Sequence, residues 1–218
     1  MHGYLSNKNS FIYTASYLRK YFDVHAIDLK GFGENVPMEK PYSLEDYVKD
    51  VKKYILDKGL ERPHVIGHSF GCRIIIKALS EDTHLFDKVV LTGAAGLKPK
   101  NTIKKRFKRL AFNFLKLFIK KDKLKRFYSS DYQVLTPVMQ ESFKLIVNEH
   151  LDEKVHLIKN KTLLIFGDCD NQTPLYMAKR LNKNIKNSKL VIIPRAGHFC
   201  FLDKPMKFNR EVREFLLS

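Results

Sequence analysis

The chain has no tryptophan and only three cysteines, Cys72, Cys169 and Cys200, among its 218 residues. Three scattered thiols are too few for a disulfide framework and too dispersed for a thiolate metal site, which fits a reducing, cytoplasmic setting. Long hydrophobic runs are missing too. No stretch approaches the roughly 18 apolar residues of a membrane-spanning helix, and the N-terminus lacks the apolar core of a secretory signal. Acidic residues are scarce in one place only. Residues 98–126 hold 13 of the 40 Lys and Arg against a single acid, Asp122, so the net charge of +17 is concentrated there. The basicity belongs to one segment, and a nucleic-acid partner for the whole chain loses its support. Internal repeats and low-complexity linkers are also absent.

What is present is enough apolar material for a core. Hydrophobic residues make up 44% of the chain, with 16 Phe, at a length that fits one domain carrying an insertion. Short β-branched runs at 24–27, 64–66, 89–91, 163–166 and 190–193 alternate with helical patterns at 10–21, 44–58, 70–80, 174–184 and 204–217. The runs are apolar throughout rather than alternating, as strands covered on both faces are. Ser43 is placed to cap the second helix. The alternation predicts an α/β fold with a doubly wound, mostly parallel sheet. It is interrupted once, over 98–158, where only helical patterns occur. This predicts a core of 1–97 and 159–218 with a helical insertion.

The run His64-Val65-Ile66 enters Gly67-His68-Ser69-Phe70-Gly71, a G-x-S-x-G sequence between a strand and a helix. Such a turn lifts a serine hydroxyl above the sheet in a strained conformation, and the crowding on either side requires glycine. A serine hydroxyl is a weak nucleophile unless a base takes its proton. His198 follows a Gly in the loop after the last strand, where α/β sheets hold ligands, and is the candidate base. Asp168, Asp170 and Asp203 all lie within range to support it. Asp170 is favoured because it sits deeper in the loop, with Pro174 opening the next helix, and Asp168 reads as a turn-capping residue. Cys169 has no base of its own and reads as a loop filler.

These residues carry a likeness. His2-Gly3-Tyr4, Asp28-Leu29-Lys30-Gly31-Phe32-Gly33, Ser43-Leu44-Glu45-Asp46, the GHSFG turn, Gly167-Asp168-Cys169-Asp170-Asn171-Gln172-Thr173-Pro174 and Ala196-Gly197-His198-Phe199 resemble the α/β-hydrolase superfamily. The likeness is to its lid-bearing branch of small esterases, peroxidase-like hydrolases and carbon–carbon bond hydrolases. It implies a Ser69–His198–Asp170 triad and an oxyanion hole built from the backbone N–H groups of Tyr4 and Phe70. It also implies that His-Gly-Tyr follows a third strand, so the sequence is expected to be an N-terminally truncated form of the fold. No cofactor and no metal are expected.

The insertion reads as a lid. Ile103, Phe107, Leu110, Phe114 and Leu117 recur at helical spacing, with Lys and Arg largely on other faces. One reading is a lid helix covering the site. The other is attachment of 103–126 to an anionic membrane surface, which would place the protein peripherally at the inner membrane. Pro137–His150 resembles a second lid helix, and Met139, Phe143 and Phe199 are candidate substrate contacts. The expected activity is hydrolysis of a small acyl substrate through an acyl-enzyme. A carbon–carbon hydrolase with the same triad and an inactive binding scaffold are the alternatives. Oligomeric state is not legible.

Overall fold

The computed structural model describes residues 1–35, 37–100 and 135–218. Four strands form one parallel sheet in the order β1 (Val65–His68), β2 (Val89–Thr92), β3 (Thr162–Gly167) and β4 (Ser188–Ile193). The registers pair Val65 with Val89, Val89 with Thr162, and Thr162 with Ser188, so the carboxyl ends come together on one side. β2 and β3 are buried at every position. Their side chains divide by period two. Leu164 and Phe166 join one apolar cluster while Leu163 and Ile165 join the other. A sheet covered on both faces explains the unbroken apolar runs.

Helices α1 (Ile12–Leu18), α2 (Leu44–Asp57), α3 (Phe70–Glu81), α4 (Pro137–Asn148), α5 (Leu175–Asn184), α6 (Cys200–Asp203) and α7 (Pro205–Leu217) supply the cover. Leu44, Tyr47 and Val48 of α2, Ile74 and Ile75 of α3, and Met177 and Leu181 of α5 pack on one face. Leu18 of α1 and Phe208, Val212 and Leu216 of α7 pack on the other. α2 starts where the sequence predicts. The Ser43 hydroxyl accepts from the Asp46 N–H, and the Asp46 carboxylate accepts from the Ser43 N–H at 2.8 Å, a reciprocal capping box. α4 is capped by Thr136, with Pro137 at its first position. Leu151, Val155 and Ile158, which follow α4, are fully buried in the first cluster. The stripe from Ile103 to Leu117 and the basic segment 103–126 lie outside the described residues.

One predicted strand is corrected. Val24–Ile27 forms no ladder. Among the described residues no strand pairs with the outer edge of β1, and Met1 occupies its upper end: the Met1 amino group donates to the Ile66 carbonyl at 2.7 Å, and the His68 N–H donates to the Met1 carbonyl at 3.1 Å. Below that, a cavity of about 320 Å³ lies against Val24, Ile27, Val65 and Ile66. A strand exists only through a partner's backbone, and no described backbone pairs with 24–27. His2 spans the top of the gap. Its Nε2 accepts from the Leu29 N–H at 3.0 Å, so its Nδ1–H donates to the Gly3 carbonyl at 2.7 Å. Burial pushes the His2 pKa down to about 4 and keeps this ring neutral.

Candidate active site

The turn from β1 into α3 has the conformation the motif requires. Ser69 sits at φ 48° and ψ −103°, a left-handed backbone that an L-residue adopts only when its surroundings hold it. Those surroundings are specific. The Ser69 N–H donates to the Thr92 carbonyl at 3.1 Å, and its carbonyl accepts from the Cys72 N–H at 3.1 Å. Both flanking glycines are close-contact positions. A Cβ on Gly67 would meet Ile75 Cδ1 at 2.5 Å, and one on Gly71 would meet the Met1 carbonyl oxygen at 2.6 Å. The serine is therefore lifted because strand, helix and N-terminal residues leave no room beside it.

Asp170 and His198 meet. His198 Nδ1 lies 2.8 Å from Asp170 Oδ2, and both side chains are almost wholly buried. The carboxylate is satisfied on every side. Oδ1 accepts from the Gln172 N–H at 2.8 Å and the Thr173 N–H at 2.9 Å, and Oδ2 accepts from the Thr173 hydroxyl at 2.7 Å. Burial alone would raise its pKa, but the bonds from His198 and Thr173 outweigh burial and hold it below the ordinary carboxylate value. An ionised Asp170 fixes the proton of His198 on Nδ1 and leaves Nε2 free to accept one. The third contact is not closed. The Ser69 hydroxyl makes no hydrogen bond to a described residue.

The other two carboxylates do something else. Asp168 Oδ1 accepts from the Ala196 N–H at 3.3 Å, and Asp203 Oδ2 accepts from the Gly197 N–H at 2.7 Å. Both hold the loop that carries His198. Asp168 also accepts from the Cys169 thiol at 3.2 Å, which pushes that thiol's pKa up.

Tyr4 and Phe70 line the same corner. Their rings pack edge to face at 5.3 Å, and neither backbone N–H donates to a backbone carbonyl among the described residues. Tyr4 also packs against Phe143 at 5.1 Å and donates its hydroxyl to the Met139 carbonyl at 3.1 Å, which brings α4 beside the turn. Met139 and Phe143 are half-buried. Phe199 is more exposed and packs against His68 at 4.8 Å. Among the described residues, no three His, Cys, Asp or Glu side chains are grouped to hold a metal.

Sequence reasoning missed two buried groups. His68 donates to the His198 backbone, and its place beside Ser69 was the only available signal. Arg73 sends its guanidinium to the Ile146 carbonyl at 2.8 Å and the Glu149 carbonyl at 2.9 Å, at the end of α4, a contact between positions some seventy residues apart.

A parallel sheet with a serine lifted at the carboxyl end of β1 defines a fold that a family comparison identifies. The alpha/beta hydrolase fold model matches residues 1–120 and 95–205, and the chain belongs to that family. It is 25% identical to a pimeloyl-[acyl-carrier protein] methyl ester esterase of Wigglesworthia glossinidia brevipalpis, over 91% of this chain and 85% of that protein. It is 27% identical to a 2-hydroxy-6-oxo-6-phenylhexa-2,4-dienoate hydrolase of Burkholderia cepacia, over 88% of this chain and 76% of the relative. In three dimensions it resembles an esterase from Exiguobacterium antarcticum. The TM-score is 0.80 at 22% identity, covering 100% of this chain and 90% of the other.

Proposed function

We propose that the protein is a serine hydrolase that cleaves a carboxylic ester or related small acyl substrate through an acyl-enzyme. The observation that carries this reading is the buried 2.8 Å contact between Asp170 and His198, together with a turn that holds Ser69 at φ 48°. With the Ser69 hydroxyl turned toward Nε2, the relay is complete. Nε2 then takes the hydroxyl proton as Oγ bonds to the substrate carbonyl carbon. The backbone N–H groups of Tyr4 and Phe70 receive the oxyanion, each such donor being worth about 3–4 kcal/mol in the transition state. The imidazolium returns the proton to the departing alkoxide as the carbon–oxygen bond breaks. Water, deprotonated by the same nitrogen, then releases the acid and restores Ser69.

A second reading, carbon–carbon bond hydrolysis by the same three residues, is supported by the likeness to the Burkholderia cepacia hydrolase. The residues that would hold the substrate are Met139, Phe143 and Phe199. The test is labelling with a fluorophosphonate, followed by an acyl-length series of synthetic esters and a vinylogous diketone. A stoichiometric adduct on Ser69, lost in Ser69→Ala, is expected. Folded protein that takes up no label overturns the serine hydrolase reading, and turnover of the diketone alone replaces ester with carbon–carbon cleavage.

A further inference from the structure

The loop that carries His198 is not relaxed. Arg195 lies at φ 55°, a left-handed backbone at a residue with a side chain, so the chain turns there only because later contacts hold it. Three consecutive backbone groups are then gripped by three side chains from different places. Asp168, just after β3, takes the Ala196 N–H, and Asp203, at the end of α6, takes the Gly197 N–H. His68, the last residue of β1, places Nε2 3.1 Å from the His198 carbonyl. Of the three, only His68 belongs to the strand that presents Ser69, and it is the residue next to it.

The chemistry of this contact is one-sided. A carbonyl only accepts, so the His68 proton must sit on Nε2. Nδ1 is then a bare acceptor, and it is buried with no partner among the described residues. A buried polar atom left unpaired costs stability, so its retention calls for a reason. The ring is boxed in by His198 at 4.6 Å, Phe199 at 4.8 Å and Phe201 at 5.0 Å. Burial, and next the neighbouring imidazole, push its pKa down to about 3, so it stays neutral and adds no charge beside the base.

We infer that His68 is a positioning residue for His198: its Nε2–H, bonded to the His198 carbonyl, sets the distance between the base loop and the strand that carries the nucleophile. This rests on the hydrolase reading for its effect on turnover. With the Ser69 hydroxyl unbonded to His198, the His68 bridge is the link already in place between the two segments. Its loss lets the imidazole drift while Asp170 still holds Nδ1, and a displacement of about 1 Å can cost about 100-fold in rate.

The experiment compares His68→Phe, which keeps a ring and removes the donor, with His68→Gln, whose amide N–H reaches a similar point. In His68→Phe, kcat on a short-chain ester should fall about 30- to 100-fold with KM within about twofold, and the Gly197 amide should exchange faster with deuterium. His68→Gln should recover most of both. Full activity and unchanged exchange in His68→Phe overturn the inference, and so does a His68→Gln as slow as the Phe variant, because the loss is then one of packing. Should His68→Phe fail to fold, nitrogen-15 NMR of the unmodified protein decides: a proton on His68 Nε2 sustains the bridge, and one on Nδ1 removes it. If the unmodified enzyme neither labels nor turns over ester, the hydrolase reading falls by itself, and the exchange and NMR results still judge the bridge.

Discussion

Replacing Asp170 by Asn changes one atom's chemistry while keeping its shape. Oδ1 of the carboxylate takes two backbone N–H groups, at 2.8 and 2.9 Å, so the Asn oxygen will settle there. The new NH₂ then faces the Thr173 hydroxyl and His198 Nδ1, at the place where Oδ2 accepted from both. An NH₂ only donates on that side, so His198 must present a bare Nδ1 and carry its proton on Nε2. A protonated Nε2 cannot take the proton of Ser69. The expected loss is on the order of 10⁴ in kcat, or about 5.5 kcal/mol of barrier, with a matching drop in fluorophosphonate labelling.

Stability changes less, because every bond persists in neutral form. The difference between charge-assisted and neutral bonds puts the cost at about 1–3 kcal/mol. For a chain of this size that lowers Tm by roughly 2–12 °C. The pH dependence has a defined sign. The folded pKa of Asp170 lies below its unfolded value, so its stabilisation is complete above about pH 4 and fades as pH falls through the folded value. The Tm gap between the two proteins should therefore be widest near neutrality and close in acid. Calorimetry across pH 3 to 7 and single-turnover ester kinetics read both effects. An Asn variant within tenfold of the unmodified kcat refutes the tautomer argument, and a gap that widens in acid refutes the assignment of the depressed carboxyl.

Two further outcomes follow from tight contacts. Gly167→Ala places a Cβ 2.1 Å from the Ala196 carbonyl oxygen and 2.4 Å from that of Gly197, so β3 or the His198 loop must shift. A stability loss of about 2–3 kcal/mol by urea unfolding is expected, with Ser69 labelling slowed more than the loss of folded protein accounts for. Arg73→Met leaves the Ile146 and Glu149 carbonyls without their charged donor, although burial already strains that guanidinium and pushes its pKa down to about 10. Denaturant unfolding should show a loss of about 2–4 kcal/mol, and an unchanged midpoint would mean that water replaces the guanidinium at no cost.

Much of the centre was legible because its requirements are local. Gly67 and Gly71 are forced by contacts within a few residues of Ser69 or with the segment the motif was expected to meet, so the pattern survives in the sequence. The meeting of His198 and Asp170 was legible from their place after strands, since a parallel sheet gathers those loops on one side. The Val24–Ile27 run was misread for the opposite reason. β-branched residues favour an extended backbone, but a ladder needs a neighbour that no local pattern describes. The tasks of Asp168 and Asp203 were hidden because an Asp that bonds a loop amide and one that bonds an imidazole look alike in sequence. The distance between 73 and 149 concealed the Arg73 contact in the same way.

The anchoring of α4 has a consequence for how the site is entered. Tyr4 holds it near its first turn, the Ser142 hydroxyl accepts from the Tyr42 N–H at 2.7 Å midway, and Arg73 fastens its far end. Swinging this helix outward would break bonds to three separate parts of the chain at once. It is a doorpost rather than a door: if Met139 and Phe143 contact substrate as proposed, substitutions there should change which acyl groups are accepted while the helix itself stays in place.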